Sequence, residues 1–228
     1  MAVPMDSAIV SLIAANTAFV GTHFIMSHPL RAPMVEVLGD RGFQIVYALV
    51  SAATLAWVYF AFKDAPPADL TGTGEIGWLI ATILTLPAMV LLAGSVMGNP
   101  ALPTPMAQEQ ARAVPKGVFK VTRHPMMWGF ALWALSHIVL FWSMRTMITA
   151  LAIGVLALVG AKLQDRKKEA LMGEAWAVWE SRTSYWPRFA GLLGAGALPW
   201  ALGLIFFIFF SWLHLPLGGI PAGLWRWF

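Results

Sequence analysis

"RHPMMWGFALWALSH" (residues 123–137) is a mostly apolar stretch that carries two histidines. It is otherwise typical of a membrane-spanning helix, with a proline in the first turn, where helices tolerate one. One histidine stands at the polar start and the other 13 residues later, within the apolar run. Ionisable side chains are costly in hydrocarbon, so the second histidine indicates a functional site.

The whole chain has the composition of an integral membrane protein. Of its 228 residues, 59% are apolar and 11% are charged, whereas soluble domains carry about 25% charged residues. The chain contains no cysteine, which excludes disulfides, thiolate catalysis, iron–sulfur clusters and cysteine-ligated zinc. Any metal must therefore bind to histidine, carboxylate or methionine. No basic residue precedes Arg31, so the first apolar segment is predicted to be a retained span rather than a signal peptide.

Six apolar segments have close to the length of about 20 residues that crosses a bilayer core. They are residues 8–27, 43–62, 76–97, 126–143, 146–163 and 198–215. We therefore predict an all-α fold, a polytopic helical bundle with about six transmembrane helices in a single membrane domain over residues 1–228.

The 15 basic residues predict the orientation. If both termini are non-cytoplasmic, three basic residues face outward: Lys63, Arg145 and Arg226. The other twelve face the cytoplasm: Arg31, Arg41, Arg112, Lys116, Lys120, Arg123, Lys162, Arg166, Lys167, Lys168, Arg182 and Arg188. Because basic residues concentrate in cytoplasmic loops, this bias predicts an even number of spans and two outer termini.

Small residues predict close helix packing at two places. Gly94 and Gly98 form a GxxxG pattern, and Ala150, Gly154, Ala157 and Ala161 form a seam. Packing within the monomer is favoured over a homo-oligomer, which stays open.

Two longer cytoplasmic segments cover residues 98–125 and 162–190. In the second, Leu171, Trp176 and Trp179 recur at helical spacing among charged residues. They predict an amphipathic helix that lies on the inner leaflet or caps the bundle.

Within the predicted spans the only Asp, Glu, Lys or Arg is Lys162, next to the inner end of the span 146–163, which argues against pumps, charged-ring channels and voltage sensors. The ionisable groups left are His23, His137 and His214. Asn16 and Ser27 share a helix face with His23, so a hydrogen bond between helices is a simple alternative to a ligand.

His124 and His137 are predicted to serve different sites. Thirteen residues on one helix correspond to about 20 Å along the axis and about 220° of rotation. His137 shares its face with Phe130, Trp133, Ala134 and Phe141, a wall suited to a planar apolar cofactor or to ordinary helix packing.

Two neutral histidines from different helices can supply both axial ligands of a haem iron, so haem is the favoured cofactor. Zinc usually needs three or four ligands, and the third candidate, His214, stands near the outer end of the last span. His23 lies about 6 Å and His137 about 16 Å from the inner ends of their helices, so a shared haem would be tilted or one helix shifted.

A cationic rim is expected at the cytoplasmic face, formed by His28, Arg31, Arg123 and His124. Such a rim could receive haem propionates or a substrate phosphate. Binding of lipid headgroups explains it equally well.

Four segments form an ordered set of motifs: "GTHFIMSHPLRAPMVEVLGDRGFQIVYALVS" (21–51), "GNP" (98–100), "GVFKVTRHPMMWGFALWALSH" (117–137) and "GEAWAVWESRTSYWP" (173–187). Together they resemble the NnrU family of bacterial membrane proteins, which also contains the zeta-carotene isomerases of plants and cyanobacteria. The resemblance covers about residues 10–190 and leaves the additional span 198–215 outside.

The resemblance implies a haem b protein whose axial ligands fall on His23 and His137 by motif. It implies an isomerase in which ferrous haem lowers the double-bond barrier of a bound polyene. Ala134 stands where the isomerase carries a cysteine proposed as an alternative ligand, so that ligand switch is not carried over. The family name implies a link to nitrite and nitric oxide reduction.

A more distant resemblance connects "RHPMMWG" (123–129) and "KEALMGEAWAVW" (168–179) with the isoprenylcysteine carboxyl methyltransferases. It implies an S-adenosylmethionine site built from Arg123, His124 and Glu169. Met127 and Lys168 depart from that pattern.

We therefore expect a haem b protein of a bacterial inner membrane, possessing metal ligands His23 and His137 and cofactor contacts Arg31, Arg123 and His124. Isomerisation or redox chemistry on a hydrophobic, carotenoid-like substrate is the first hypothesis. The alternatives are a methyltransferase-like enzyme and a non-enzymatic haem, electron-transfer or assembly factor for nitrogen-oxide reduction. The expected partners are the lipid bilayer and a hydrophobic small molecule, with no nucleic acid.

Overall fold

The computed structural model of the chain describes residues 6–228, and these residues form helices and loops without any β-strand. Eight α-helices follow one another in this part of the chain: α1 (Ser7–Ser27), α2 (Arg31–Asp64), α3 (Gly74–Gly94), α4 (Ala107–Arg112), α5 (Pro125–Leu140), α6 (Met144–Met172), α7 (Glu174–Arg182) and α8 (Ala197–Gly218). Short 3₁₀ turns cover Gly117–Lys120, Phe189–Gly194 and Gly223–Arg226.

Within residues 6–228, five helices are long and apolar enough to cross a membrane: α1, α2, α3, α6 and α8. The shorter helix α5 is equally apolar and accounts for the sixth predicted span. The prediction of an all-α, polytopic membrane protein is confirmed. The orientation of the termini remains a prediction, and residues 1–5 lie outside the described part.

Helix α2 is longer than a single span requires. Its 34 residues would measure about 51 Å, against about 30 Å for the hydrocarbon core. The helix is broken at Gly39, whose φ of +70° is a conformation that glycine adopts without a steric penalty. The predicted span 43–62 therefore begins after this break, and residues 31–38 before it form a separate short helical segment.

The chain forms two compact units. The first comprises Met1–Gly72, described from residue 6 onward, and Phe141–Leu156. Its core joins α1, α2 and the start of α6 through a cluster of buried apolar residues: Ile9, Leu12, Ala15, Phe19, Val58, Ala61 and Ala65.

Polar caps hold the helix ends of this first unit. The Asp6 carboxylate accepts a hydrogen bond from the backbone N–H of Ala8 at 2.8 Å and so caps α1. The Arg145 guanidinium donates to the carbonyls of Phe62 (3.2 Å) and Ala65 (3.0 Å) at the end of α2. These carbonyls have no partner within the helix, so Arg145 satisfies groups that the bilayer cannot.

The second unit comprises Thr73–Leu140 and Ala157–Phe228, and α3 is its central helix. Both α5 and α8 pack against α3 at glycines. A Cβ at Gly203 of α8 would lie 2.6 Å from the Val90 Cα, and one at Gly129 of α5 would lie 3.0 Å from the Ala88 carbonyl oxygen. Glycine is therefore required for both approaches.

The predicted GxxxG pattern is divided between a helix and a loop. Gly94 ends α3, and a Cβ there would lie 2.5 Å from a methyl group of Val118, so this glycine packs within the monomer. Gly98 lies beyond the helix with φ +74°, and a Cβ there would meet open space. The pattern is therefore not a helix–helix motif along its whole length.

The amphipathic helix predicted in the segment 162–190 exists as α7, with one correction. Trp176 and Trp179 are buried in the core of the second unit, where Trp179 contacts Phe119 at 5.4 Å between ring centres. Leu171 belongs to the end of α6 and is 55% exposed. The reason is a break at Gly173, whose φ of +52° separates the two helices.

Candidate functional site

His23 lies in the first unit, one turn before the end of α1. Its Nδ1 lies 2.7 Å from the carbonyl oxygen of Phe19, four residues earlier on the same helix. The imidazole is flanked by the rings of Phe19 (4.4 Å between centres) and Tyr47 (5.4 Å). His23 is thus a half-buried imidazole between two aromatic rings.

The polar residues that share a helix face with His23 are only partly directed into the first unit. Asn16 is 3% exposed and its amide lies 3.5 Å from the hydroxyl of Thr149 on α6, the hydrogen bond between helices that the alternative expected. His23 instead contacts Phe19 and Tyr47. Asn16 therefore connects α1 with α6, whereas His23 packs between aromatic rings, although both residues share a helix face.

Arg31 begins α2 and is also part of the first unit. Its guanidinium pairs with the Asp40 carboxylate at 3.7 Å and lies 5.6 Å from the ring centre of Phe43. Phe43 contacts Tyr47, which contacts His23, so aromatic side chains connect Arg31 with the histidine. His28 follows the last residue of α1.

His137 lies in the second unit, in the last turn of α5. The prediction had placed it nearer the middle of a span ending at residue 143, but α5 ends at Leu140. The helix ends there because the Thr73 hydroxyl and backbone N–H donate to the carbonyls of Val139 (2.7 Å) and Leu140 (3.1 Å). In a longer helix, these carbonyls would accept hydrogen bonds from backbone N–H groups four residues later, and Thr73 takes the place of those donors.

The imidazole of His137 is held by its own helix and by an aromatic neighbour. Its Nδ1 lies 2.8 Å from the carbonyl oxygen of Trp133 and 3.1 Å from the hydroxyl of Ser136. The Trp133 ring lies 4.2 Å away between ring centres. This confirms Trp133 as part of the predicted aromatic wall.

His214 on α8 is the ring neighbour of His137 within the second unit. The two ring centres are 6.1 Å apart and the ring planes meet at 29°. The Nδ1 of His214 lies 2.8 Å from the carbonyl oxygen of Phe210. Sequence reasoning named His214 only as a third metal candidate and did not pair it with His137.

All three histidines therefore have the same local geometry. In each, Nδ1–H donates to the carbonyl four residues earlier, which fixes the tautomer and leaves Nε2 with a free lone pair. Metal-ligating histidines almost always have their second nitrogen held in this way. The donor chemistry of His23 and His137 thus fits haem iron, which takes neutral imidazole nitrogens.

A separate polar cluster stands at the start of α5, formed by Arg123, His124 and Asp165. The Asp165 carboxylate accepts hydrogen bonds from Arg123 Nε (3.0 Å) and Nη2 (2.7 Å) and from His124 Nε2 (2.7 Å). The side chains of Asp165 and His124 are fully buried, and that of Arg123 is 11% exposed. The cluster ties the entrance of α5 to α6.

Further groups surround this cluster. Arg123 also pairs with the Glu180 carboxylate on α7 at 2.9 Å, and its guanidinium lies 5.5 Å from the ring centre of Tyr185. Burial raises the pKa of Glu180 although the Arg123 charge opposes the change. Burial, reinforced by the negative charge of Asp165, raises the pKa of the Tyr185 phenol.

The two carboxylates largely balance the charges that were expected to form a cationic rim. Arg123 and His124 face Asp165 and Glu180, so this part of the protein presents little free positive charge to an anion. Glu169, proposed with Arg123 and His124 for the methyltransferase-like site, is exposed on α6 and has no hydrogen bond to either.

Sequence reasoning missed Asp165, although a signal for it was available. The predicted small-residue seam continues at helical spacing from Ala157 and Ala161 to Asp165, and all three are buried. Extending the seam by one turn would have predicted a buried carboxylate that requires a basic partner.

Among residues 6–228, no group of three or more histidine, cysteine or acidic side chains is close enough to hold a metal ion. His23 and Arg31 lie in the first unit, and His137, Arg123 and His124 lie in the second.

The chain is similar in sequence to known proteins. Two curated relatives are called "15-cis-zeta-carotene isomerase, chloroplastic". The Zea mays protein is 27% identical over 208 residues, which cover 85% of this chain and 54% of the relative. The Arabidopsis thaliana protein is 26% identical over 176 residues, covering 72% of this chain and 46% of the relative. The chain thus spans about half the length of the curated relatives it matches.

No solved structure matches the chain significantly. The family model described as "NnrU protein" matches residues 11–222, a range that also includes α8, which the sequence motifs did not reach. With its apolar helices and its match over nearly the whole length, this chain belongs to the NnrU family of membrane proteins.

Proposed function

We propose that this chain is a membrane-embedded cis–trans isomerase that acts on a carotenoid-like polyene and binds haem b. The similarity to the two 15-cis-zeta-carotene isomerases carries the proposal, because it extends over 85% of the chain in the Zea mays comparison. The aromatic surroundings of the histidines support it, since flat rings are good neighbours for a planar apolar molecule.

In the same proposal, His23 and His137 would hold the haem iron through their imidazole nitrogens, as the family resemblance implies. What supports this assignment is that each imidazole has Nδ1–H on a backbone carbonyl and Nε2 free. When bound, haem supplies a redox-active iron whose ferrous state lowers the barrier to rotation about a double bond of the polyene. The protein side chains hold this group and the substrate in place.

The chain's own residues have three tasks in this proposal. The carbonyls of Phe19 and Trp133 orient the two imidazoles, and the rings of Tyr47 and Trp133 form apolar walls beside them. No proton needs to leave or enter the substrate, because isomerisation changes only a dihedral angle. This fits the six apolar segments predicted from the sequence, which contain no carboxylate.

Arg31 remains the candidate for contact with a propionate in the proposed haem protein, because Asp40, its partner at 3.7 Å, is exposed and exchangeable. Arg123 and His124 are better explained as members of the buried cluster with Asp165. We keep a bacterial inner membrane as the predicted location; the curated relatives are chloroplastic.

The proposal is tested by incubating haem-loaded protein in lipid vesicles with 15-cis-zeta-carotene and separating the geometric isomers by chromatography. We expect loss of the 15-cis form with wild-type protein and none with His137→Ala. The matched control is Glu169→Gln, which removes an exposed carboxylate far from the histidines in sequence. Equal conversion by His137→Ala, or none by haem-loaded wild-type protein, would contradict the proposal.

A further inference from the structure

Two 3₁₀ turns lie side by side in the second unit and form a surface that the proposed function does not use. The first turn, Gly117–Lys120, comes before α5, and the second turn, Phe189–Gly194, comes before α8. A Cβ at Gly191 would lie 2.7 Å from the carbonyl oxygen of Lys120, so glycine is required for this close approach. The side chain of Lys120 lies over the second turn, where a Cβ at Gly194 would be 3.5 Å from its Nζ.

This surface stands at the ends of three apolar helices. Val118 of the first turn packs beside Gly94, the last residue of α3. The carbonyl of Leu192 in the second turn accepts a hydrogen bond at 2.9 Å from the indole N–H of Trp200, near the start of α8. The helix α5 begins at Pro125, shortly after the first turn. Because α3 and α8 are long and apolar enough to cross a membrane, the two turns lie at the boundary between hydrocarbon and water.

The boundary surface carries three exposed basic residues, Lys116, Lys120 and Arg188. The two segments that form it, residues 113–124 and 181–200, contain no acidic residue. Within the described residues 6–228, none of the three basic side chains takes part in an ion pair. Positive charge without a compensating carboxylate is therefore found here, in contrast to the buried cluster at the start of α5.

Large apolar side chains project from the same surface. Leu193 is 90% exposed and Phe189 is 46% exposed, whereas the intervening Leu192 is buried. Trp186, shortly before the second turn, is 68% exposed. Aromatic and aliphatic side chains next to basic ones are typical of protein segments in the interfacial layer of a bilayer. The surface thus has the chemistry of a contact with lipid rather than with water.

We propose that the two turns bind an anionic phospholipid, with its phosphate on Lys116, Lys120 and Arg188 and its acyl chains against Phe189 and Leu193. Charge complementarity selects this occupant, because ammonium and guanidinium groups bind phosphate oxygens strongly. Each basic residue close to an anionic membrane surface adds about fivefold to the affinity. The apolar side chains require an occupant with a hydrocarbon part, which favours a phospholipid over free phosphate. The site includes none of the histidines and does not depend on the proposed isomerase.

The test uses the full-length protein in detergent micelles, titrated separately with dioleoyl phosphatidylglycerol and dioleoyl phosphatidylcholine, with bound lipid counted by native mass spectrometry. We expect the wild type to bind phosphatidylglycerol at least about tenfold more tightly than phosphatidylcholine. The triple variant Lys116→Gln, Lys120→Gln, Arg188→Gln should lose this preference, whereas Lys116→Arg with Lys120→Arg should keep it. Added NaCl should weaken binding of phosphatidylglycerol to the wild type and not to the triple glutamine variant.

The matched control is a second triple variant, Arg41→Gln, Arg112→Gln, Arg166→Gln. It removes the same charge from exposed positions that each have an acidic residue close by in the sequence. We expect it to keep the wild-type preference within about twofold. Thermal unfolding without added lipid checks that both triple variants fold, and Lys120→Gln alone should still cost about fivefold. An equal loss of preference in both triple variants would show that net charge alone acts, and would overturn the inference.

The variant Leu193→Ser with Phe189→Ser tests the apolar part of the site. It should weaken binding of both lipids alike, because contact with acyl chains does not depend on the headgroup. Inorganic phosphate at equal concentration should not displace phosphatidylglycerol. Unchanged lipid affinity in the serine variant, displacement by phosphate, or equal affinity of the wild type for both lipids would each overturn the inference. None of these results bears on the proposed function, which is tested by isomer conversion in the histidine variants.

Discussion

Replacing Asp165 by asparagine tests the buried polar cluster most sharply. Its carboxylate is fully buried and accepts hydrogen bonds from the guanidinium of Arg123 and the imidazole of His124. Asparagine retains the shape but removes the charge, so Arg123 remains buried with only the outer carboxylate of Glu180 beside it. Removing one partner of a buried ion pair costs about 3–5 kcal/mol of the free energy of unfolding.

This cost corresponds to a large fall in thermal stability. For chains of this size, 1 kcal/mol shifts Tm by about 2–4 °C, so Asp165→Asn should lower Tm by about 6–20 °C. The assay is thermal unfolding in detergent followed by tryptophan fluorescence, for which the chain offers 12 tryptophans. Combining Asp165→Asn with Arg123→Gln should give less than the sum of the two losses, with a coupling of about 0.5–3 kcal/mol.

The matched control is Glu169→Gln, one helical turn later on α6, where the carboxylate is exposed. Exposed substitutions usually change the free energy of unfolding by less than about 0.5 kcal/mol. If Asp165→Asn and Glu169→Gln give the same Tm within about 2 °C, the carboxylate does not hold the cluster together and the reasoning is refuted.

Three further substitutions test the packing and charges of the two units. Gly203→Ala should destabilise the protein by about 1–3 kcal/mol because the added Cβ meets α3 backbone, whereas Gly21→Ala, which meets open space, should be neutral or slightly stabilising in the same thermal assay. Glu180→Gln should remove a pH dependence of the stability. Because the pKa of Glu180 is raised above its ordinary value of 4.5 in the folded protein, the wild type gains stability as the pH falls toward 4.5 and loses it as the pH rises. Parallel profiles of Tm against pH for the wild type and Glu180→Gln would contradict this. Arg145→Ala should cost about 1–2 kcal/mol through the lost hydrogen bonds to the end of α2, and a loss no larger than that of the exposed Lys63→Ala would show that they contribute little.

The membrane fold could be predicted from the sequence because it depends on local properties. Apolar length alone located the spans, and the short connection between α5 and α6 follows from the few residues between their apolar runs. The end of α5 could not be predicted, since it depends on hydrogen bonds from Thr73, which lies more than 60 residues earlier. No local pattern encodes such a long-range cap.

The candidate site could be predicted only in part. His23 and His137 stood out because histidine is rare in an apolar span. The pairing of His137 with His214 depends on how α5 and α8 both pack on α3, and this is a tertiary property. Asp165 was missed because it lies among basic residues, where a carboxylate resembles an ordinary surface charge, although its helical spacing from Ala161 indicated burial.

The most direct test of the proposed haem protein is the absorption spectrum of the chain purified from haem-replete cells, recorded oxidised and after reduction with dithionite. We predict the spectrum of a six-coordinate haem that is lost in His137→Ala, because His137 is one of the two histidines proposed to hold the iron. The Glu169→Gln protein should keep the wild-type spectrum. A colourless wild-type protein, or an unchanged spectrum in His137→Ala, would contradict the account.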